Sequence, residues 1–362
     1  MAFVLPSMRG GGVERVRLTL IRGFLDRGYE VDLILTEAGG EFLELVPDGV
    51  HLEEFDCPRI RHAIPRLREY VKRRQPDAMI VALWPLTAAT VLACTGLRER
   101  PRLVLSDHNN LHSQYSAGKP VWMSLRATLR MAYPKADALV AVSQGIAQDI
   151  AGWAGLPANR VTTIYNPTPE PVRSEWPKDE TDRLWRGHTG PRIITTGRLK
   201  KQKNHELLLR AFAKIQNDNN AVLAILGEGE LEDKLRETVV RLGLEESVIM
   251  PGFVVDPGPW YASADLFVLS SDYEGFGNVL VEALHFGLPI VSTDCKSGPS
   301  EILAGGKFGT LSATGDIEAL AEAMETALVG EHDSTALKAR AQMFSADAAI
   351  DAYERLAFPE VA

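Results

Sequence analysis

The sequence predicts an α/β protein made of two doubly wound domains, and three observations predict it. Short β-rich runs alternate with helical stretches from one end of the chain to the other. A proline-rich segment of mixed charge breaks that alternation near the middle. Glycine-rich or basic loops follow the first strand of each half, where open parallel sheets receive ligands.

The first series opens with AFVLPS (2–7), a buried strand, then a glycine cluster and a helix with apolar Val13, Val16, Leu20, Ile21 and Phe24. YEVDLIL, AMIVAL, RLVLSD, ALVAVS and RVTTIYN follow as strands. Helices between them require parallel sheets covered on both faces. NPTPEPVRSEWPKDETDRLWRGHTGP (166–191), with five prolines, then reads as a linker and not as an element. RIITTG, AVLAILG, SVIMPGF, DLFVLSS, LPIVSTD and GTLSA form the second series. The expected boundaries are a first domain over 1–170, a linker over 171–190, a second domain over 191–335, and a helical segment over 336–362 packing back towards the first domain.

Bulk properties agree. At 362 residues the chain exceeds one ordinary core, and 45% hydrophobic with 24% charged residues is the balance of a soluble globular protein. No apolar run reaches the length of a membrane span, and no signal-peptide pattern opens the chain. Cys57, Cys94 and Cys295 are isolated, which excludes a disulfide framework or zinc site and implies a reducing compartment, the cytoplasm. The net charge of −9 is uneven: residues 1–170 carry 20 Lys and Arg against 18 Asp and Glu, the remainder 19 against 30. So acidic a second half argues against nucleic acid as a partner.

Three strand-to-helix loops carry candidate chemistry. In MRGGGVER (8–15), Gly10, Gly11 and Gly12 allow close backbone approach to a phosphate at the following helix, or simply a tight turn. In TTGRLKKQKN (195–204), Gly197 precedes Arg198 and Lys203, a guanidinium and an ammonium suited to a diphosphate; Lys200 and Lys201 leave a solvated basic turn as the alternative. LGEGELEDKL adds Gly227 before another helix. In DYEGFGNVLVEALHFG (272–287), Glu274 sits among turn residues and Glu282 within an apolar helix starting near Asn278. A partly buried carboxylate at 282 has no local cation apart from His285 three residues on, and needs hydrogen-bond donors, which ribose hydroxyls would supply. An exposed Glu on an ordinary surface helix is the alternative.

Together these stretches resemble the donor domain of GT-B glycosyltransferases, whose two Rossmann-like domains face an interdomain cleft, and in particular the retaining family 4. TTGRLKKQKN, ILGEGELEDKL, ADLFVLSSDYEGFGNVLVEALHFGLPIVSTD and GPSEIL carry the resemblance, with MRGGGVERV, SDHNN, ALVAVSQGIAQDI and VTTIYNP in the family's order. The resemblance implies that Glu282 binds ribose, that Glu274 holds the donor sugar, and that Arg198 and Lys203 stabilise the departing diphosphate. It implies nucleotide contacts at Gly197, Gly227, Phe253, Phe276, Gly277, Asn278 and Val279, and makes His108 the active-site histidine. No metal or other cofactor is implied, and no DxD-type motif occurs. Ser297-Gly298-Pro299 ahead of Glu301 departs from the common Gly-Gly form. It resembles the subset that moves hexoses or N-acetylhexosamines from UDP donors in bacterial glycan assembly.

On the acceptor side, residues 108–136 hold no acidic residue but carry Lys119, Arg126, Arg130 and Lys135, with Trp122, Leu125, Leu129 and Tyr133 at helical spacing. CPRIRHAIPRLREYVKRR (57–74) has seven Arg or Lys and one Glu. These segments fit an anionic membrane surface or a lipid-diphosphate acceptor, or else a core helix with a solvated face. Three other readings stay open on residues alone: a non-catalytic nucleotide-sugar binding subunit, a sugar-nucleotide epimerase, and a phosphorylase. A Rossmann oxidoreductase is disfavoured because GxGxxG is missing.

Overall fold

The computed structural model describes residues 1–360 except 10, 58, 109–110, 112–118 and 174, with backbone alone at 119–121 and 217–219. It divides into two compact units, residues 1–169 with 344–362, and residues 170–343.

In the first unit the described strands are β1 (Ala2–Leu5), β2 (Asp32–Leu35), β3 (His51–Glu54), β4 (Ala78–Ala82), β5 (Arg102–Asp107), β6 (Ala138–Ala141) and β7 (Val161–Thr163). They form one parallel sheet in the order β3-β2-β1-β4-β5-β6-β7. Val4 pairs with Ile34 on one side and Val81 on the other, so β1 is central and its order reverses beside β4. That reversal opens a crevice at the carboxyl ends of β1 and β4. β3 was not expected. HLEE has no apolar alternation, and as an edge strand its His51, Leu52 and Glu54 are exposed and need none.

The second unit contains β8 (Arg192–Thr196), β9 (Val222–Leu226), β10 (Val248–Gly252), β11 (Leu266–Leu269), β12 (Ile290–Thr293) and β13 (Thr310–Ser312). All are parallel, ordered β10-β9-β8-β11-β12-β13, with the switch between β8 and β11. Each unit has its own apolar core. Phe3, Leu5, Leu20, Phe24 and Ile80 lie in the first, and Leu208, Phe212, Ile225, Val268 and Met324 in the second.

Two expectations need correction. The stretch 171–190 is not an unstructured linker. It contains the helix Lys178–Leu184, and Trp185 is fully buried edge-on against Trp260, its Nε1–H donating to Ser263 Oγ at 2.8 Å. Trp176 packs on Phe286 within the same unit. Aromatic anchors outweigh the proline signal here, because burying the indole rings of Trp185 and Trp260, with Trp176 half-buried, gains more than the turn residues lose. The closing segment is also not one element. Ser334–Ala341 is a helix of the second unit, and Ala346–Ala357 is a separate helix of the first. The chain changes unit at Phe344, whose ring meets Tyr165 and whose carbonyl accepts from Thr168 N at 3.0 Å.

The last helix docks on the first, Gly12–Asp26. Arg27 bonds Asp351 and Glu354, Tyr29 donates to Glu354 at 2.7 Å, and Tyr353 is buried. Ile350 lies against Gly23, where a Cβ would come 2.1 Å from its terminal methyl.

Candidate active site

The second unit brings the β8 and β11 loops together at its switch point. After β8 the chain makes a short turn over Lys201–Lys203 and enters the helix His205–Asn219 from Asn204, whose side chain accepts from Leu207 N at 3.3 Å. A set of hydrogen bonds ties this loop to residues 270–274. Asp272 N donates to Gln202 O at 2.8 Å, Asn204 Nδ2 to Asp272 Oδ1 at 2.7 Å, and Gln202 Nε2 to Tyr273 O at 2.7 Å. Ser270 Oγ donates to Lys203 O at 2.9 Å, and Lys203 Nζ to Glu274 Oε1 at 2.6 Å.

Lys203 and Glu274 therefore form an ion pair, with side chains 14% and 7% exposed. Ser271 Oγ donates to the same Oε1 at 2.6 Å, and Gln202 Nε2 approaches Oε2 at 3.5 Å. Oε2 keeps acceptor capacity for a ligand hydroxyl. Lys200, half-buried beside this pair, was not singled out from sequence. Burial first, then the Lys203 charge, lowers its pKa, with Glu274 opposing. Arg198 is exposed on the same loop.

Gly227 lies against this loop. A Cβ there would sit 2.1 Å from Gly197 O, so the β8 and β9 loops pack backbone on backbone. Glu228, also missed from sequence, accepts from Phe253 N at 3.2 Å; the Phe253 ring is half exposed.

Helix Asn278–Phe286 begins after Gly277, at φ 100°, a left-handed conformation that favours glycine. Phe276 is buried, while Asn278 and Val279 are half-buried at the helix entrance. Glu282, one turn further, does have a partner within the chain: Tyr261 donates its hydroxyl to Oε2 at 2.9 Å. Tyr261 stacks on Phe267 and Phe286, which fixes its ring. The sequence does not reveal Tyr261 as the partner of Glu282 because it lies 21 residues away and on another helix.

In the first unit, Gly11 and Gly12 stand at the start of the first helix, Gly11 as its extended N-cap; Gly10 lies outside the described residues. His108 follows β5 and is buried. Its Nε2 lies 2.9 Å from Arg17 Nη2 and 3.3 Å from Ser106 Oγ, and Arg17 Nη2 also bonds Ser106 Oγ. Burial, then the Arg17 charge, pushes the imidazole well below its ordinary pKa; the Asn166 side chain acts the other way. Among the described residues Nδ1 has no hydrogen-bond partner. Arg17 was missed as well. Its signal was a cation within the helical apolar row Val13, Leu20, Ile21 and Phe24. Adjacent Asp107 points elsewhere, accepting from Tyr133 at 2.7 Å, and burial raises its pKa to about 6.

The helix Lys119–Ala132 buries Leu125 and Leu129, with Tyr133 just beyond it, as a core element does. Its outer side exposes Met123 (66%) and Met131 (58%) near Arg130. No helix among the described residues is long and apolar enough to cross a membrane.

Two parallel α/β units of this topology are the fold of the GT-B glycosyltransferases. Solved structures agree in fold. Anabaena HepE, described in complex with UDP and glucose, superposes with a TM-score of 0.82 at 21% identity, covering 98% of each chain. The family description "Glycosyl transferases group 1" matches residues 179–344, and "Glycosyltransferase Family 4" matches residues 10–169. The chain belongs to the group 1 glycosyltransferases. Among its relatives is the Campylobacter jejuni N-acetylgalactosamine-N,N'-diacetylbacillosaminyl-diphospho-undecaprenol 4-alpha-N-acetylgalactosaminyltransferase, 28% identical over 94% of this chain and 93% of that one. The lipopolysaccharide core biosynthesis glycosyltransferase LpsE of Rhizobium meliloti is 26% identical over 96% of each.

Proposed function

We propose that this glycosyltransferase moves a hexosyl or N-acetylhexosaminyl group from a UDP-sugar, with retention and without a metal ion. The acceptor in this reading is a glycan or lipid-diphosphate-linked glycan of a bacterial surface polysaccharide or glycoconjugate. The observation that carries the reading is the Lys203–Glu274 pair at the β8/β11 switch point. One ammonium there can hold a sugar-binding carboxylate while presenting positive charge to a diphosphate. Names of relatives support the acceptor class: one acts on a diphospho-undecaprenol glycan and another in lipopolysaccharide core synthesis.

The chemistry assigns one task to each group. The bond between the anomeric carbon and the diphosphate oxygen breaks, and the electron pair leaves on the nucleoside diphosphate. Lys203 and Arg198, with Lys200 beside them, stabilise that charge as it develops. Glu274 orients the sugar through Oε2, and Glu282, held by Tyr261, accepts from the ribose hydroxyls. The acceptor oxygen bonds the anomeric carbon on the face the diphosphate leaves, and its proton passes to the departing phosphate. His108 offers a hydrogen bond to a sugar oxygen.

A thermal-shift screen across UDP-, GDP- and ADP-sugars, followed by proton NMR of the product anomer, tests this reading. Stabilisation by a UDP-sugar and a product with the donor's anomeric configuration are expected, in the presence of EDTA. An inverted product, or activity abolished by EDTA and restored by a divalent ion, overturns the corresponding part.

Met123 and Met131 near Arg130, with the basic helix Ile60–Arg74, favour peripheral contact with an anionic membrane. Flotation with phosphatidylglycerol liposomes, but not with phosphatidylcholine ones, is the expected result. Equal absence from both overturns it.

A further inference from the structure

We propose that Arg17 is a positioning residue that locks His108 in the Nδ1-protonated neutral tautomer, so that His108 serves its ligand as an N–H donor and not as a base. Arg17 is fully buried in the first helix, with no carboxylate partner among the described residues. A buried guanidinium without a counter-charge is costly, and stacking over the Tyr353 ring, 5.5 Å to the centroid, offsets only part of that cost. What it does contact is Ser106 and His108.

The direction of these bonds is determined by chemistry. A guanidinium only donates. Arg17 Nη2 at 2.9 Å therefore requires a lone pair on His108 Nε2. A proton on Nε2 would face an N–H at that distance. The rival arrangement, Nε2–H donating to Ser106 Oγ, has the longer distance of 3.3 Å and opposes the guanidinium. Ser106 donates its own proton to Val81 O at 3.2 Å, so it stands as an acceptor for Arg17. With Nε2 occupied, the ring proton sits on Nδ1, the nitrogen without a hydrogen-bond partner among the described residues. Among the described residues Nε and Nη1 of Arg17 have no hydrogen-bond partner either, and no carboxylate there offsets its charge beside the ring.

Among the described residues, the groups facing the imidazole are Arg17 from the first helix, Ser106 from β5 and Asn166 beyond β7, and of these Arg17 carries the charge. Neutrality of the ring follows from the same contacts, and burial reinforces it. The tautomer stands on this geometry alone. Use of Nδ1–H on a sugar oxygen rests on the transferase reading above.

Nitrogen-15 NMR of histidine-labelled full-length protein tests the tautomer without any substrate, with His108 assigned by its loss in His108→Gln. A pyridine-type Nε2 and a protonated Nδ1, unchanged over about pH 6 to 8, are expected. A protonated Nε2 or a charged ring in that range overturns the proposal. In Arg17→Met the Nε2–H tautomer should appear and the ring should titrate, while Arg17→Lys keeps the wild-type pattern. If Arg17→Met does not fold, the wild-type spectrum alone decides. With a UDP-sugar identified as donor, Arg17→Met should lower kcat about tenfold and add an acid limb that Arg17→Lys lacks. A pH profile parallel to wild type would overturn the coupling between the two residues.

Discussion

Lys203 Nζ lies 2.6 Å from Glu274 Oε1, and both side chains are nearly buried at the switch point of the second sheet. The pair joins residues 71 positions apart and leaves one carboxylate oxygen with capacity to spare.

Removing the ammonium strands a buried carboxylate. Lys203→Met should destabilise the protein by about 3 kcal/mol in urea unfolding and cut kcat at least a hundredfold. The double variant Lys203→Met/Glu274→Gln should recover much of the stability and none of the activity. Equal stability of the single and double variants would show that the pair is not coupled.

Tyr261→Phe removes one hydroxyl and leaves the ring stack on Phe267 and Phe286 in place. Stability should fall by about 1 kcal/mol, while nucleotide affinity by calorimetry drops about tenfold as Glu282 loses its orientation. Glu282→Ala should weaken nucleotide binding further. Unchanged affinity in both variants would dissociate Glu282 from the nucleotide.

Gly227→Ala places a Cβ 2.1 Å from Gly197 O, a backbone atom that no rotamer change can move. The β8 loop must shift, and a loss of about 2 kcal/mol or more with a lowered melting temperature is expected. Unaltered melting would mean that the two loops separate freely.

Two buried groups set opposite pH trends. Burial, with the Lys203 charge adding to it, pushes His205 down to about 3. It folds neutral, so its stabilising share is complete above about pH 6.5 and is lost as pH falls towards 3. Asp107, raised to about 6, works in reverse: its share is complete below about pH 4 and is lost as pH rises through 6. Asp107→Asn should therefore gain on wild type by up to about 3 kcal/mol between pH 4 and 7, read from urea midpoints across pH. A constant difference would place the shift elsewhere.

Much of the fold is legible locally. AVLAILG, DLFVLSS and LPIVSTD become β9, β11 and β12 because continuous apolar runs can be buried only in a doubly covered sheet. Glu274 and Lys203 were legible for a related reason, since each sits on a loop leaving a strand into a helix. The edge strand at His51–Glu54 was not, because exposure removes the apolar pattern that would reveal it. The helix Lys178–Leu184 was hidden by surrounding prolines, and its packing depends on Trp260, far along the chain.

The sequence by itself determined the two α/β series, their glycine loops, and the candidate residues in them, because backbone sterics and hydrophobic period act over a few residues. Only the tertiary structure decided which side chains meet. Lys203 with Glu274, Tyr261 with Glu282, and Arg17 with His108, 91 residues apart, are products of strand order and helix packing. Such contacts depend on which strands become neighbours and which helix faces turn inward, a choice made by burial over the whole unit and not by any single stretch of chain.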